Sequence, residues 1–184
     1  MQAAEAGVNG GRVPAFAAVD VHYPATGGAR AALVLAGDRA FSEVLAQQTV
    51  FIAQAAPYRP GRFFERELPP LRAVLAGVKG IELLVIDGYV DLDPDGRPGL
   101  GSYVHAELGI PVIGAAKTRF APATHAVPVL RGHATRPLYV TAAGMPVADA
   151  AELIRQMSGN FRMPDALRHV DALARGRGTP DPAR

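Results

Sequence analysis

Along the chain the apolar residues fall into short runs cut by glycine, proline and charge, and the runs switch between a period of two and a period near 3.6. Residues 13–23 read Val-Pro-Ala-Phe-Ala-Ala-Val-Asp-Val-His-Tyr, apolar on both sides of Asp20, and stop at Pro24. This predicts a buried strand carrying one carboxylate near its end. A turn at Ala25-Thr26-Gly27-Gly28 leads to a second apolar strand over 29–36, ended by Gly37-Asp38. Residues 41–53 predict a third, more polar element whose apolar members are Val44, Val50, Phe51 and Ile52. Short turns between three consecutive strands predict an antiparallel meander.

Beyond the meander, Pro57-Tyr58-Arg59-Pro60-Gly61 reads as a stiff loop, because two prolines fix the backbone and glycine allows a sharp turn. Leu71, Val74, Leu75 and Val78 recur at i, i+3, i+4 and i+7, predicting a short helix from Pro69-Pro70 to Gly77 or Gly80. The run at 81–86, broken only by Glu82 and ended by Asp87-Gly88, suits a central strand covered on both faces. A polar loop at 91–99 precedes a short helix over 101–108 and a strand over 110–115 that leads to Lys117. Residues 122–136 read as irregular, 138–142 as a strand, and 146–159 as a helix with Val147, Ala150, Leu153, Ile154 and Met157 on one stripe. No regular element is predicted between 160 and 174.

This order predicts an α/β fold, a ribonuclease-H-like mixed sheet with an antiparallel three-strand meander and flanking helices. A doubly wound parallel sheet would need a helix directly after the first strand. At 184 residues the chain is expected to be one domain, with its core over about 13–172 and a flexible tail over about 175–184.

Composition narrows the chemistry. The chain has no Cys, which excludes a disulfide scaffold, a thiol nucleophile and a thiolate zinc site, so any metal must sit on oxygen or imidazole. No apolar run approaches the ~20 residues of a membrane span, and the first residues lack the basic-then-apolar pattern of a secretion signal. The expected location is the cytoplasm, with no membrane partner and a monomer as the simplest state. A net charge of +2 does not by itself argue for a nucleic-acid partner. Of 19 basic residues only Lys79 and Lys117 are lysines, which singles out Lys117 at its strand end.

Asp20 and Asp87 each belong to an apolar strand, where a charge is costly unless paired, hydrogen-bonded or metal-bound. If the first and fourth strands are neighbours, at ~4.8 Å spacing, the two carboxylates can converge on one sheet edge. Either alone could simply cap a turn; together they weigh toward an oxygen site of the kind that suits Mg²⁺ or Mn²⁺. Glu67 and Asp149, at helix starts, have the ordinary reading of solvated or capping groups, and Lys117 that of a surface residue.

Five segments carry a resemblance to the endonuclease V family: 18–23 to its first Asp strand, Pro57-Tyr58-Arg59-Pro60-Gly61 with Arg66-Glu67-Leu68-Pro69 to its Pro-Tyr-x-Pro-Gly and Arg-Glu-x-Pro loop, 85–88 to its second Asp strand, 110–117 to its Ile-Pro-x-Ile-Gly-Val-Ala-Lys signature, and 159–164 to its Gly-x-Arg-x-Pro ending. The resemblance implies hydrolysis of a phosphodiester near an inosine-type base in DNA, RNA or both. It implies that Asp20, Glu67 and Asp87 bind Mg²⁺ or Mn²⁺ and that Lys117 is the active-site lysine. Tyr58 would be the wedge beside the lesion, with Pro57, Pro60, Gly61 and Gly88 shaping the nucleic-acid contact and Asp149 a secondary candidate. The family's Asp-Gly-His-Gly is here Asp87-Gly88-Tyr89-Val90, and the histidines at 22, 105, 125, 133 and 169 do not fill the family's imidazole positions by simple register. Two alternatives therefore stand beside the endonuclease: a nucleic-acid-binding relative with weakened or lost catalysis, and an unrelated metal-dependent α/β enzyme acting on a small substrate.

Overall fold

The computed structural model describes residues 15–57, 59 and 62–177. Its elements are β1 (Ala15–His22), β2 (Ala29–Ala36), β3 (Val44–Ile52), α1 (Phe63–Leu75), β4 (Ile81–Ile86), α2 (Leu100–Leu108), β5 (Val112–Ala116), β6 (Val127–Val129), β7 (Leu138–Ala143), α3 (Val147–Gln156) and α4 (Asp165–Ala174). The strands form one seven-stranded sheet in the order β3-β2-β1-β4-β5-β7-β6. The first three make the expected meander. β1, β4 and β5 run parallel, and β7 and β6 complete the far edge antiparallel. This is the α/β mixed sheet with flanking helices that the element order predicts.

Strand alternation divides the core into two layers. Phe16, Ala18, Ala32, Val34, Val85 and Ile113 face the side packed by α3 and α4. Their neighbours Ala17, Val19, Ala31, Leu33, Leu84 and Ile86 face the side packed by α1 and α2. Large side chains such as Leu33, Leu71, Leu84, Ile113 and Ile154 are fully buried, each contributing roughly 1.5–3 kcal/mol.

Three expectations are corrected. Helix α1 begins at Phe63 and runs through Pro69 and Pro70 rather than starting there. Pro70 has no N–H to return to the Arg66 carbonyl, and the Tyr23 hydroxyl donates to that carbonyl instead, at 2.9 Å. The stretch read as irregular contains β6, a three-residue edge strand too short to show a period and holding Pro128. Helix α4 lies where no regular element is predicted, and at its end Gly176, at φ +70, turns the chain while the N–H groups of Gly176 and Arg177 bond the carbonyls of Leu173 and Ala172. Residues 178–184 lie outside the described residues.

Candidate active site

Because β1, β4 and β5 are parallel, their C-terminal ends emerge side by side, and each carries one candidate residue. Asp20 lies near the end of β1, Asp87 just past β4 and Lys117 just past β5. Val19 pairs with Ile86 in the register, so Asp20 and Asp87 follow one step beyond on adjacent strands. Alternation puts Asp20 on the α4 side with Phe16 and Ala18.

Glu67 reaches the same place from α1, where it is only 6% exposed. The Tyr23–Arg66 hydrogen bond ties the helix to the chain just past β1, and the Arg66 guanidinium stacks on the Tyr23 ring, 3.5 Å from its centre.

Asp20, Glu67, Asp87 and Lys117 all line one cavity of about 420 Å³, joined there by Asp171 and Arg175 of the α4 end. Neither of these two was anticipated. Their signal was present in the last helix: Ala166, Leu167, Val170, Leu173 and Ala174 make a buried stripe, and Asp171 sits at i+4 from Leu167, at its edge.

The electrostatics are those of too many carboxylates. Burial, then the Asp87 charge, push the Asp20 carboxyl up to about 7, against a hydrogen bond from the Val21 N–H. Burial pushes Glu67 up to about 8, with the Asp20 and Asp87 charges adding and Tyr23 and Arg66 opposing. The Asp171 charge adds to the rise of Asp20. Lys117 Nζ lies 2.6 Å from Asp87 Oδ2. Burial alone would lower the lysine, but the bond and charge of Asp87 raise it overall. Burial likewise works to raise Asp171, yet Arg175 holds both its oxygens, at 3.0 and 2.9 Å, and the net direction is down.

The loops around the cavity are fixed from behind. Arg162, in the predicted Gly-x-Arg-x-Pro segment, donates to the Lys117 carbonyl and, at 2.7 Å, to that of Pro137. Buried Arg131 donates to the carbonyls of Met157, Phe161 and Gly159, clamping the turn that feeds α4. At Gly114 a Cβ would lie 2.5 Å from the Gly88 carbonyl oxygen, so glycine in the middle of β5 lets the 88–90 turn pass close to the strand. That turn is tied down by Val90 N–H donating to Thr141 Oγ1 at 2.8 Å.

A second cavity, of about 270 Å³, adjoins the first and shares Phe63, Asp87, Gly88 and Tyr89 with it. Its walls are largely apolar and aromatic, with Phe64, Leu92, Leu100 and Phe120 among them. The Tyr89 hydroxyl spans its edge, donating to the Thr118 carbonyl at 2.8 Å and accepting from the Phe120 N–H at 2.9 Å.

Two sets of predicted residues stand apart from these cavities. Asp149 is exposed in the first turn of α3 and does not line the acidic cavity. Its helix covers β7 and β6, the far edge of the sheet from β1, and Ala150, Ala151 and Ile154 are the residues it buries there. Of the loop candidates, Pro57 is exposed, while Tyr58, Pro60 and Gly61 lie outside the described residues. Among the described residues no helix is long and apolar enough to cross a membrane.

The endonuclease V family model matches residues 4–138. Among curated relatives, endonuclease V of Azotobacter vinelandii is 31% identical, over 88% of this chain and 82% of that protein. The crystal structure of endonuclease V from Streptomyces avermitilis matches with a TM-score of 0.74 at 28% identity, over 89% of this chain and 81% of that one. A Ciona intestinalis endonuclease V (D234N), in complex with a 23mer DNA containing an inosine followed by a ribo-adenosine, shares the fold with a TM-score of 0.75 at 17% identity, over 89% and 85% of the two chains. A family model covering most of the chain, together with a sheet whose parallel ends gather its Asp, Glu and Lys residues in one cavity, makes this protein a member of the endonuclease V family of phosphodiester-cleaving hydrolases.

Proposed function

We propose that the chain is a metal-dependent endonuclease that hydrolyses a phosphodiester near a deaminated, inosine-type base in DNA or RNA, acting in the cytoplasm. The observation that carries this reading is the cavity at the strand ends, where Asp20, Glu67, Asp87 and Asp171 meet beside Lys117.

The donor set fits a hard divalent cation such as Mg²⁺ or Mn²⁺: four carboxylates, no thiolate, and two of the acids raised, first by burial and then by the charge of neighbouring carboxylates. As they stand, no three acidic or imidazole side chains among the described residues are arranged to ligate one ion. Two of the four carboxylates are taken by Lys117 and Arg175. Asp20, Glu67, Asp87 and Asp171 would hold the ion, which when bound lowers the pKa of a water and neutralises charge on phosphate oxygens.

The chain's own groups supply the rest. Lys117, held by Asp87 at one end and by Arg162 at its backbone, offers an ammonium to the phosphate. The adjoining cavity, of about 270 Å³ and walled largely by apolar and aromatic side chains, suits one base taken out of a strand, with Tyr89 fixing its rim.

The test is a nicking assay on an inosine-containing strand with Mn²⁺, run for wild type and Asp87→Asn. Wild type is expected to nick and the variant to lose activity with its fold retained. Equal cleavage by the two overturns the assignment.

A further inference from the structure

Arg175 has an ordinary explanation as the basic member of an i, i+4 pair with Asp171 at the end of an amphipathic helix. Three observations go beyond it. The guanidinium lines the carboxylate cavity itself. It grips both oxygens of Asp171, at 3.0 and 2.9 Å, taking up a carboxylate that faces the other acids. Its backbone caps the C-terminal end of α4, its own N–H bonding the Asp171 carbonyl and those of Gly176 and Arg177 returning to Leu173 and Ala172, and a Cβ on Gly176 would strike the Arg30 guanidinium.

Four carboxylates thus share two resident cations. Lys117 takes Asp87 and Arg175 takes Asp171, and among the described residues neither Asp20 nor Glu67 has an ion pair. A divalent cation drawing on Asp171 must compete with Arg175 for the same oxygens. Once displaced, a guanidinium anchored at the cavity wall presents a planar fork suited to phosphate.

We propose that Arg175 is an exchangeable cation of the active site, holding Asp171 until a divalent cation takes that carboxylate and then binding a phosphate oxygen of the nucleic-acid strand. This rests on the proposed function, and it assigns Arg175 two effects of opposite sign. Removing it should tighten metal binding and weaken catalysis, whereas loss of a merely structural residue would weaken both.

The experiment compares wild type, Arg175→Gln and Arg175→Lys by calorimetric titration with Mn²⁺ in the absence of nucleic acid. The same proteins are then assayed for nicking of an inosine-containing strand at saturating Mn²⁺. Arg175→Gln is expected to bind Mn²⁺ about threefold more tightly, the scale of a partly exposed ion pair, and to nick at least ~10-fold more slowly at saturation. Arg175→Lys should recover much of the rate by keeping the charge. Arg168→Ala, on the same helix and paired with Asp165, should change neither quantity. Unchanged or weaker Mn²⁺ binding by Arg175→Gln, or an unchanged saturated rate, overturns the inference while leaving the endonuclease reading intact if wild type nicks. Wild type that takes up no Mn²⁺ overturns both.

Discussion

Glu67→Gln gives the sharpest check on the electrostatics, because it leaves the shape of a buried side chain in place and removes only its charge. Glu67 has an ordinary value of 4.5 and is pushed up to about 8, first by burial and then by the Asp20 and Asp87 charges. The folded state therefore holds this proton more tightly than the unfolded chain does. Stability from this group is greatest below about 4.5, falls as pH rises, and levels off above about 8. Asp20 acts with the same sign between 3.8 and about 7. At about 1.4 kcal/mol per pH unit, ionising Glu67 in the folded protein costs up to about 5 kcal/mol. Half of that would move Tm by roughly 5–10 °C in a chain of this size. Thermal melts in EDTA at pH 5 to 9 should show wild type losing stability toward alkaline pH. Glu67→Gln should decline less and be the more stable protein at pH 8.5, while losing nicking activity in Mn²⁺. A wild-type Tm that is flat or rises with pH, or a variant that tracks wild type throughout, refutes the reasoning.

Asp20→Asn should abolish nicking and, by removing a carboxylate next to Asp87 and Asp171, keep or raise Tm in EDTA; a variant that nicks normally would exclude Asp20 from the chemistry. Gly114→Ala drives a methyl group against the Gly88 carbonyl, which should cost about 1–3 kcal/mol in urea unfolding and disturb the turn holding Asp87; unchanged stability and activity would refute that packing argument. Arg131→Met leaves the carbonyls of the 157–161 turn without their donor, with an expected loss on the order of 3 kcal/mol and a faster amide exchange in α4. Equal exchange in variant and wild type would show that the clamp does not hold the helix.

Asp20, Asp87 and Lys117 were legible because Asp20 interrupts an apolar run while Asp87 and Lys117 follow one, and a charged residue in or just past a buried strand stands out without any knowledge of its neighbours. Glu67 was legible only through the resemblance, since its helix was placed six residues too late: two prolines read as a start, when Tyr23 makes up for the donor that Pro70 lacks. Asp149 and Asp171 show where linear reading fails. Both are acids on amphipathic helices, yet α3 lies over the far edge at β7 and β6 whereas α4 lies over β1 and β2.

The apolar runs determined every strand but β6, the meander and the charged residues that fall in or just past the strands, because burial acts position by position along the chain. Only the tertiary structure decided that the parallel ends of β1, β4 and β5 meet an acid from α1 and an acid with its arginine from α4. That meeting depends on which sheet edge each helix covers, and the charge balance of the cavity follows from distances that no local pattern encodes.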